Sequence, residues 1–246
     1  MEIIELSSPD IMVIKNFFSK EETEIVLKVL KSYGEKEWTI SGEEKLKAIN
    51  SFSNEALKTF ESLWYDMSLD LTSKARARKN FPELPHDLLV KKENEIKKIV
   101  EDKFNETVIL HLSGLHRWKT GREDRPHIDY YEPSENDDFK MYEQYKFSKD
   151  DLKNLPKDIV KKIEKIFLAK HYSALVYFNE DYTGGEFYMP EFNWQIKPEP
   201  GMMIVFEGHK DHIHGVKKVE EGTRYTWSIF WTRKDWIVKN NLDILK

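Results

Sequence analysis

Tyr172-Ser173-Ala174-Leu175-Val176-Tyr177-Phe178 is an apolar and aromatic run closed by a turn-forming stretch from Asn179 to Gly185. It reads as a buried strand, and the residues beyond it repeat the pattern. Glu186-Phe187-Tyr188-Met189 and Trp194-Gln195-Ile196 are two short strands, and Pro198 to Gly201 is a turn. Met202-Met203-Ile204-Val205-Phe206 is a second buried run, and Glu207 to Asp211 is a loop. His212 to Val219 reads as a strand, Glu220-Glu221-Gly222 as a turn, and Arg224 to Trp231 as the last strong strand. Short strands at turn-punctuated spacing indicate a sandwich or barrel rather than a parallel α/β sheet.

Upstream of this block the period is also strand-like from Thr107, through Val108-Ile109-Leu110-His111-Leu112 and Leu115-His116-Arg117-Trp118. Gly121 begins a loop, with Arg122 to Pro126 polar and irregular. Residues 133–170 break the strand pattern and read as an insertion. Its second half, Pro156 to Lys170, has the spacing of an amphipathic helix. Helices gather in the first hundred residues, after an early strand around Ile11-Met12-Val13-Ile14. Ser19-Lys20-Glu21-Glu22 has the form of a capping box, and Gly34 is a stop for the helix that starts there. A second helix is predicted from about Asn54 to Lys74 and a third over Lys91 to Phe104, with a turn at Phe81 to Leu84 between Pro82 and Pro85. The expected architecture is mainly β with flanking helices. It is one domain over 1–246, with helical support at about 1–106 and a β core at about 107–235.

Composition narrows the function classes. Hydrophobic residues make up 39%, with 7 Trp, 11 Tyr and 14 Phe, enough for a substantial core despite 34% charged residues. A net charge of −5 argues against general nucleic-acid binding, which needs a basic face, and the basic run Lys74 to Lys79 reads as a solvated helix end. Without cysteine there can be no disulfide, zinc ribbon or thiol nucleophile, which fits a cytoplasmic setting. The N-terminal residues lack the basic and apolar regions of a signal peptide, and no stretch is long and apolar enough for a membrane span.

The chemistry-bearing residues come in a fixed order. His127-Ile128-Asp129 presents an imidazole and a carboxylate on one side of an extended backbone. His212-Ile213-His214-Gly215 offers a further imidazole, and spacing alone leaves His212 and His214 both eligible, with His209 weaker. His111, His116 and His171 are assigned to packing or surface roles, and His86 to a Pro-flanked turn. Arg224 lies on the next strand. Two histidines and one carboxylate on one face of a metal, with open positions opposite, suit non-haem Fe(II). A planar guanidinium suits a carboxylate at the far end of a bound oxo-acid.

These residues carry a family resemblance. The chain resembles a 2-oxoglutarate- and Fe(II)-dependent dioxygenase of the prolyl 4-hydroxylase-like group, over about Leu115 to Trp231. Trp118-Lys119-Thr120-Gly121 stands where the family often has Tyr-x-x-Gly. Tyr177-Phe178-Asn179 is similar to its Tyr-Leu-Asn strand end, and Gly184-Gly185-Glu186-Phe187 to its Gly-Gly-Glu turn. Pro198-x-x-Gly201 with Phe206, and His214-Gly215-Val216 followed by Gly222-Thr223-Arg224-Tyr225, complete the match.

The resemblance implies a double-stranded β-helix (a jelly-roll, cupin-like core) packed against the N-terminal helices. It implies His127, Asp129 and His214 as iron ligands and Arg224 as the partner of the distal carboxylate of 2-oxoglutarate. Tyr177 would hydrogen-bond that carboxylate, Ser228 would supply a further hydroxyl, and Trp118 would line the co-substrate pocket. Fe(II), 2-oxoglutarate and O2 are then required, with ascorbate as an optional reductant. The implied reaction is hydroxylation of a substrate C–H bond, coupled to decarboxylation of 2-oxoglutarate to succinate and CO2. The leading substrate is a prolyl residue in a peptide or protein, with a free amino acid or other small molecule as the alternative. Tyr130, Tyr131, Tyr188 and Trp194 are candidates to line a peptide groove. A non-catalytic cupin-like metal- or ligand-binding module and a zinc hydrolase are the readings from other classes. Fe(II)-dependent succinate release separates all three.

Overall fold

The computed structural model describes residues 2–5, 11–38, 68–130, 170–209 and 211–239. Alternation of side chains about a twisted antiparallel sheet organises these residues. The strands are β1 (Glu2–Glu5), β2 (Ile11–Lys15), β3 (Ser68–Asp70), β4 (Val108–Lys119), β5 (Asp124–His127) and β6 (Tyr172–Tyr177). They continue with β7 (Tyr182–Gly184), β8 (Phe187–Met189), β9 (Trp194–Ile196), β10 (Met203–Glu207), β11 (His214–Val216) and β12 (Val219–Arg233). The larger sheet runs β1-β2-β10-β6-β12-β4-β3, with β7 also paired to β12; the smaller runs β5-β11-β8-β9. Every pairing is antiparallel. The two sheets face each other as a double-stranded β-helix.

Each central strand of the larger sheet divides its side chains between two cores, because successive residues point to opposite faces. Tyr225, Trp227, Ile229 and Trp231 of β12 join Ala174 and Val176 of β6 and Met203 and Val205 of β10 in a core under the helices. Tyr177, Ile204 and Phe206 point the other way and meet Phe187, Met189 and Val216 of the smaller sheet. Burying each large apolar side chain contributes about 1.5–3 kcal/mol. A one-residue slip in β12 would therefore turn a row of tryptophans toward the cleft.

Three described helices back the larger sheet through α1 (Lys20–Ser32), α2 (Lys74–Asn80) and α3 (His86–Phe104); α4 (Lys234–Lys239) follows β12. The capping box expected at Ser19 is present, with the Ser19 amide donating to Glu22 Oε2 at 2.9 Å and the Glu22 amide donating to Ser19 Oγ at 3.2 Å. Glu22 also meets the buried Lys92 of α3 at 2.9 Å, and Lys92 Nζ donates to the Phe17 carbonyl at 2.7 Å. That pair fastens α1 to α3. No helix among the described residues is long and apolar enough to cross a membrane.

Several boundaries differ from the sequence reading. The helix expected over Asn54 to Lys74 lies outside the described residues up to 67, and Ser68–Asp70 is an edge strand on β4. The sequence Ser68-Leu69-Asp70 has no strong strand signal of its own; the free edge of β4 recruits it. The third helix starts at His86 rather than Lys91, and His86 is its first residue, with Nε2 2.7 Å from the Phe81 carbonyl. Asp124–His127 is strand β5 rather than irregular loop, because β11 pairs with it. The strand expected over His212 to Val219 is only His214–Val216, since the His212 amide turns back to the His209 carbonyl at 2.9 Å. Glu220-Glu221-Gly222 does not end a strand; it lies inside β12, at a register shift against β7 with Gly222 at φ 85°. The insertion 133–170 lies outside the described residues except at Lys170, as does Tyr131.

Candidate active site

β5 and β11 place His127 and His214 directly opposite each other across an antiparallel pair. Asp129 lies two residues past β5, with its own amide and that of Tyr130 both donating to the Gly208 carbonyl, at 2.9 and 2.7 Å. Gly208 has to be glycine for this approach, because an added Cβ would stand 2.9 Å from Asp129 Cβ and 2.6 Å from the Lys170 carbonyl. The three side chains thus converge, with candidate ligand atoms all within 4.8 Å of one another.

Their orientation suits a cation. His127 Nδ1 lies 2.7 Å from the Arg125 carbonyl and His214 Nδ1 lies 3.0 Å from the His212 carbonyl. A carbonyl only accepts, so in each neutral ring Nδ1 carries the proton and Nε2 keeps its lone pair. Those Nε2 atoms point at Asp129, 3.9 Å from Oδ1 for His127 and 3.5 Å from Oδ2 for His214. An octahedral ion with bonds of about 2.1 Å needs neighbouring ligands roughly 3 Å apart, a small contraction of the present spacing. Burial of the His214 imidazole, helped by His127, pushes its pKa down to about 4, so at neutral pH it is an uncharged ligand. Burial alone would raise the Asp129 pKa. Charge interactions with His214, Lys170 and His127, with a 2.6 Å hydrogen bond donated by Ser173 Oγ, outweigh it and hold the carboxyl below its ordinary range. Asp129 is therefore an anion. His209 and His212 do not join this group.

The same cleft runs from these residues to Arg224, and encloses ≈ 750 Å³ counting its open mouth. Alternation along β12 sends Arg224, Thr226, Ser228 and Phe230 into it, while β4 contributes Trp118 and His116 and β6 contributes Leu175. Arg224 is 2% exposed, with its guanidinium 5.0 Å from the rings of both Trp118 and Tyr177. Arg224 Nε, Tyr177 Oη and Tyr182 Oη are buried without a hydrogen-bond partner. Buried unpaired polar atoms cost about 1–3 kcal/mol each, so their convergence marks a place for a polar ligand. Burial raises the Tyr177 hydroxyl pKa far above neutrality, leaving it a neutral donor. Gly185, at φ 67°, makes room for this end of the cleft: a Cβ there would lie 2.9 Å from the Tyr182 ring and 3.2 Å from Arg224 Cδ.

The donor set therefore fits both a divalent metal at one end and a carboxylate at the other. Of the residues selected from sequence, His127, Asp129, His214, Arg224, Trp118 and Ser228 line one cleft, with Tyr177 against Arg224. Four contributors were not foreseen. Ser173 and Lys170 lie beside Asp129, the latter with Nζ 3.9 Å from Oδ1. Thr226 shares the Arg224 face, which two-residue alternation alone could have shown. His116 lines the cleft rather than serving only packing. Tyr130 is a packing residue, stacked on His171 at 4.0 Å.

Residues 113–233 match the model of the 2OG-Fe(II) oxygenase superfamily. That segment carries the superfamily match. Members of the superfamily use Fe(II), 2-oxoglutarate and O2. A segment of 71 residues, 27% of this chain, is 40% identical to human prolyl 3-hydroxylase 2, and the corresponding segment of chicken prolyl 3-hydroxylase 1 is 31% identical. This chain spans only about a tenth of the length of those relatives, 10% in each case. Among solved structures, the fold is similar to a viral collagen prolyl hydroxylase from Paramecium bursaria Chlorella virus-1, with TM-score 0.52, 15% identity and coverage of 91% of this chain and 95% of that one. It is also similar to a Pseudomonas putida prolyl-4-hydroxylase, with TM-score 0.50, 12% identity and coverage of 92% and 93%.

Proposed function

We propose that this oxygenase hydroxylates a prolyl residue in a peptide or protein, using His127, Asp129 and His214 to bind Fe(II). Arg224, with the hydroxyls of Tyr177 and Ser228, receives the distal carboxylate of 2-oxoglutarate. The observation that carries this reading is one cleft lined both by a two-histidine, one-carboxylate group, with Asp129 and His214 buried, and by the buried Arg224. Bound Fe(II) supplies the oxidising chemistry, with 2-oxoglutarate and O2 converted to succinate and CO2 as the substrate C–H is hydroxylated. The chain's residues position and exclude water. Carbonyls of Arg125 and His212 fix the two ring tautomers, Ser173 holds the Asp129 carboxylate, and Phe187 and Phe206 pack on the His214 ring at 5.5 and 4.6 Å. Trp118 walls the pocket beside the Arg224 guanidinium and offers no hydroxyl contact. The unit is read as one domain over 1–246.

The names of the relatives motivate the prolyl substrate. The test is succinate release with proline-rich peptides, free proline and other amino acids, with and without Fe(II), followed by amino-acid analysis of the product. The reading expects Fe(II)-dependent release stimulated by a peptide, with 3- or 4-hydroxyproline as product, and loss of both in Asp129→Ala. Stimulation only by a free amino acid would overturn the peptide substrate. Undiminished turnover in Asp129→Ala would overturn the ligand assignment.

A further inference from the structure

A second cluster of metal-binding side chains lies next to the first, on the loop that leads into β11. Glu207, at the end of β10, His209 and His212 bring one carboxylate and two imidazoles together, with candidate ligand atoms within 4.8 Å of one another. His209 Nε2 is 3.1 Å from Glu207 Oε2, and the two imidazole rings are 4.9 Å apart. His212 is 1% exposed and stacks on Phe192 at 5.7 Å, so its ring is fixed; the side chains of Glu207 and His209 keep 27% and 28% exposure. A buried fixed ligand beside two reachable ones is a site an ion can enter from solvent. None of the three belongs to the His127–Asp129–His214 group.

We propose that Glu207, His209 and His212 form a second, separate metal site that takes Zn2+. Two imidazoles and one carboxylate match zinc sites with three protein ligands and a water in the fourth position. A tetrahedral zinc with bonds of about 2.0–2.2 Å wants ligand atoms roughly 3.4 Å apart, reached here by small side-chain rotations. Imidazole ligands disfavour Mg2+ and Ca2+, and a nitrogen-rich site holds Zn2+ more tightly than Fe2+.

The surroundings supply an outer partner. The Asp211 amide donates to His209 Nδ1 at 3.1 Å, which puts the proton of the neutral ring on Nε2, toward Glu207. A cation there takes the place of that proton. The proton moves to Nδ1, and Asp211 Oδ2, 3.6 Å away, accepts it while the amide turns to solvent. A carboxylate behind a ligating histidine is the usual support for such a ring. The site would also be linked to its neighbour through the backbone. The His212 carbonyl accepts from His214 Nδ1, and the Gly208 carbonyl accepts from the Asp129 amide. Zinc on this loop would hold both acceptors in place.

The test is Zn2+ stoichiometry on the full chain after chelator stripping, measured by competition with a chromophoric chelator, with thermal melts to verify folding. His209→Ala is expected to bind one equivalent fewer than the unsubstituted protein, and Glu207→Gln to weaken that same equivalent at least tenfold. Asp129→Ala should retain it. If His209→Ala and Glu207→Gln both keep the full stoichiometry and affinity, the site does not exist. Loss of the His209-dependent equivalent in Asp129→Ala would show one shared site and equally overturn the proposal.

Discussion

Replacing Arg224 with lysine isolates what the guanidinium does. The side chain is 2% exposed, and its Nε and the hydroxyls of Tyr177 and Tyr182 are buried without partners, so a distal carboxylate is the group that would satisfy them. Lysine keeps the charge but presents a single point donor, so the two-pronged contact becomes one. A hydrogen bond to a charged group contributes about 1.5–3 kcal/mol. At about 1.4 kcal/mol per factor of ten, Arg224→Lys should raise the KM for 2-oxoglutarate roughly 10- to 150-fold. Fe(II) affinity should stay within a few-fold, because Arg224 is not among the His127, Asp129 and His214 side chains that could hold the ion. The assay is succinate or CO2 release against 2-oxoglutarate concentration, repeated with 2-oxobutyrate, which keeps the 2-oxo acid but lacks the distal carboxylate. The unsubstituted protein should strongly prefer 2-oxoglutarate, and Arg224→Lys should lose most of that preference by losing affinity for 2-oxoglutarate alone. A KM within twofold of the original, or an unaltered preference, would refute the assignment; a misfolded fraction would instead lower kcat for both oxo-acids without raising either KM.

Ser173→Ala removes the 2.6 Å hydrogen bond to Asp129 and should weaken Fe(II) binding about 10- to 100-fold, measured by metal titration, with little change in melting temperature. Gly185→Ala forces a Cβ against the Tyr182 ring and Arg224 at a positive φ; we expect a loss of about 1–3 kcal/mol in chemical denaturation and a raised KM for 2-oxoglutarate. Glu22→Gln tests pH linkage. Burial acts to raise the Glu22 pKa, but the Ser19 amide and Lys92 outweigh it and lower it below 4.5. Its stabilisation is therefore full above pH about 4.5 and fades as pH falls through the lowered value. The variant should be less stable by about 1 kcal/mol at pH 7, and the difference should shrink as pH falls through the lowered Glu22 pKa; a difference that stays constant on acidification would show that ionisation of Glu22 is irrelevant.

Much of this protein was legible in order along the chain. The runs that became β6, β10 and the end of β12 are strongly apolar, and that pattern survives into the fold because each strand is buried on both faces. Ser19 and Glu22 specified the start of α1 through bonds only three residues apart. The residues that line the cleft were mostly recognisable by type, because few side chains can hold a metal or grip a carboxylate.

Sequence could not decide what depends on pairing. His212 and His214 are equivalent by spacing, and the register of β11 against β5 separates them: His214 stands opposite His127, while His212 sits in a turn and faces His209 and Glu207. Strand β3 exists because β4 offers it an edge, and β5 because β11 pairs with it, not through any strong signal of their own. Ser173 and Lys170 have ordinary local sequence, and only the antiparallel packing around Gly208 brings them to Asp129. Local composition determined which residues could do chemistry; the sheet registers, set by burial of alternating side chains across distant strands, decided which of them meet.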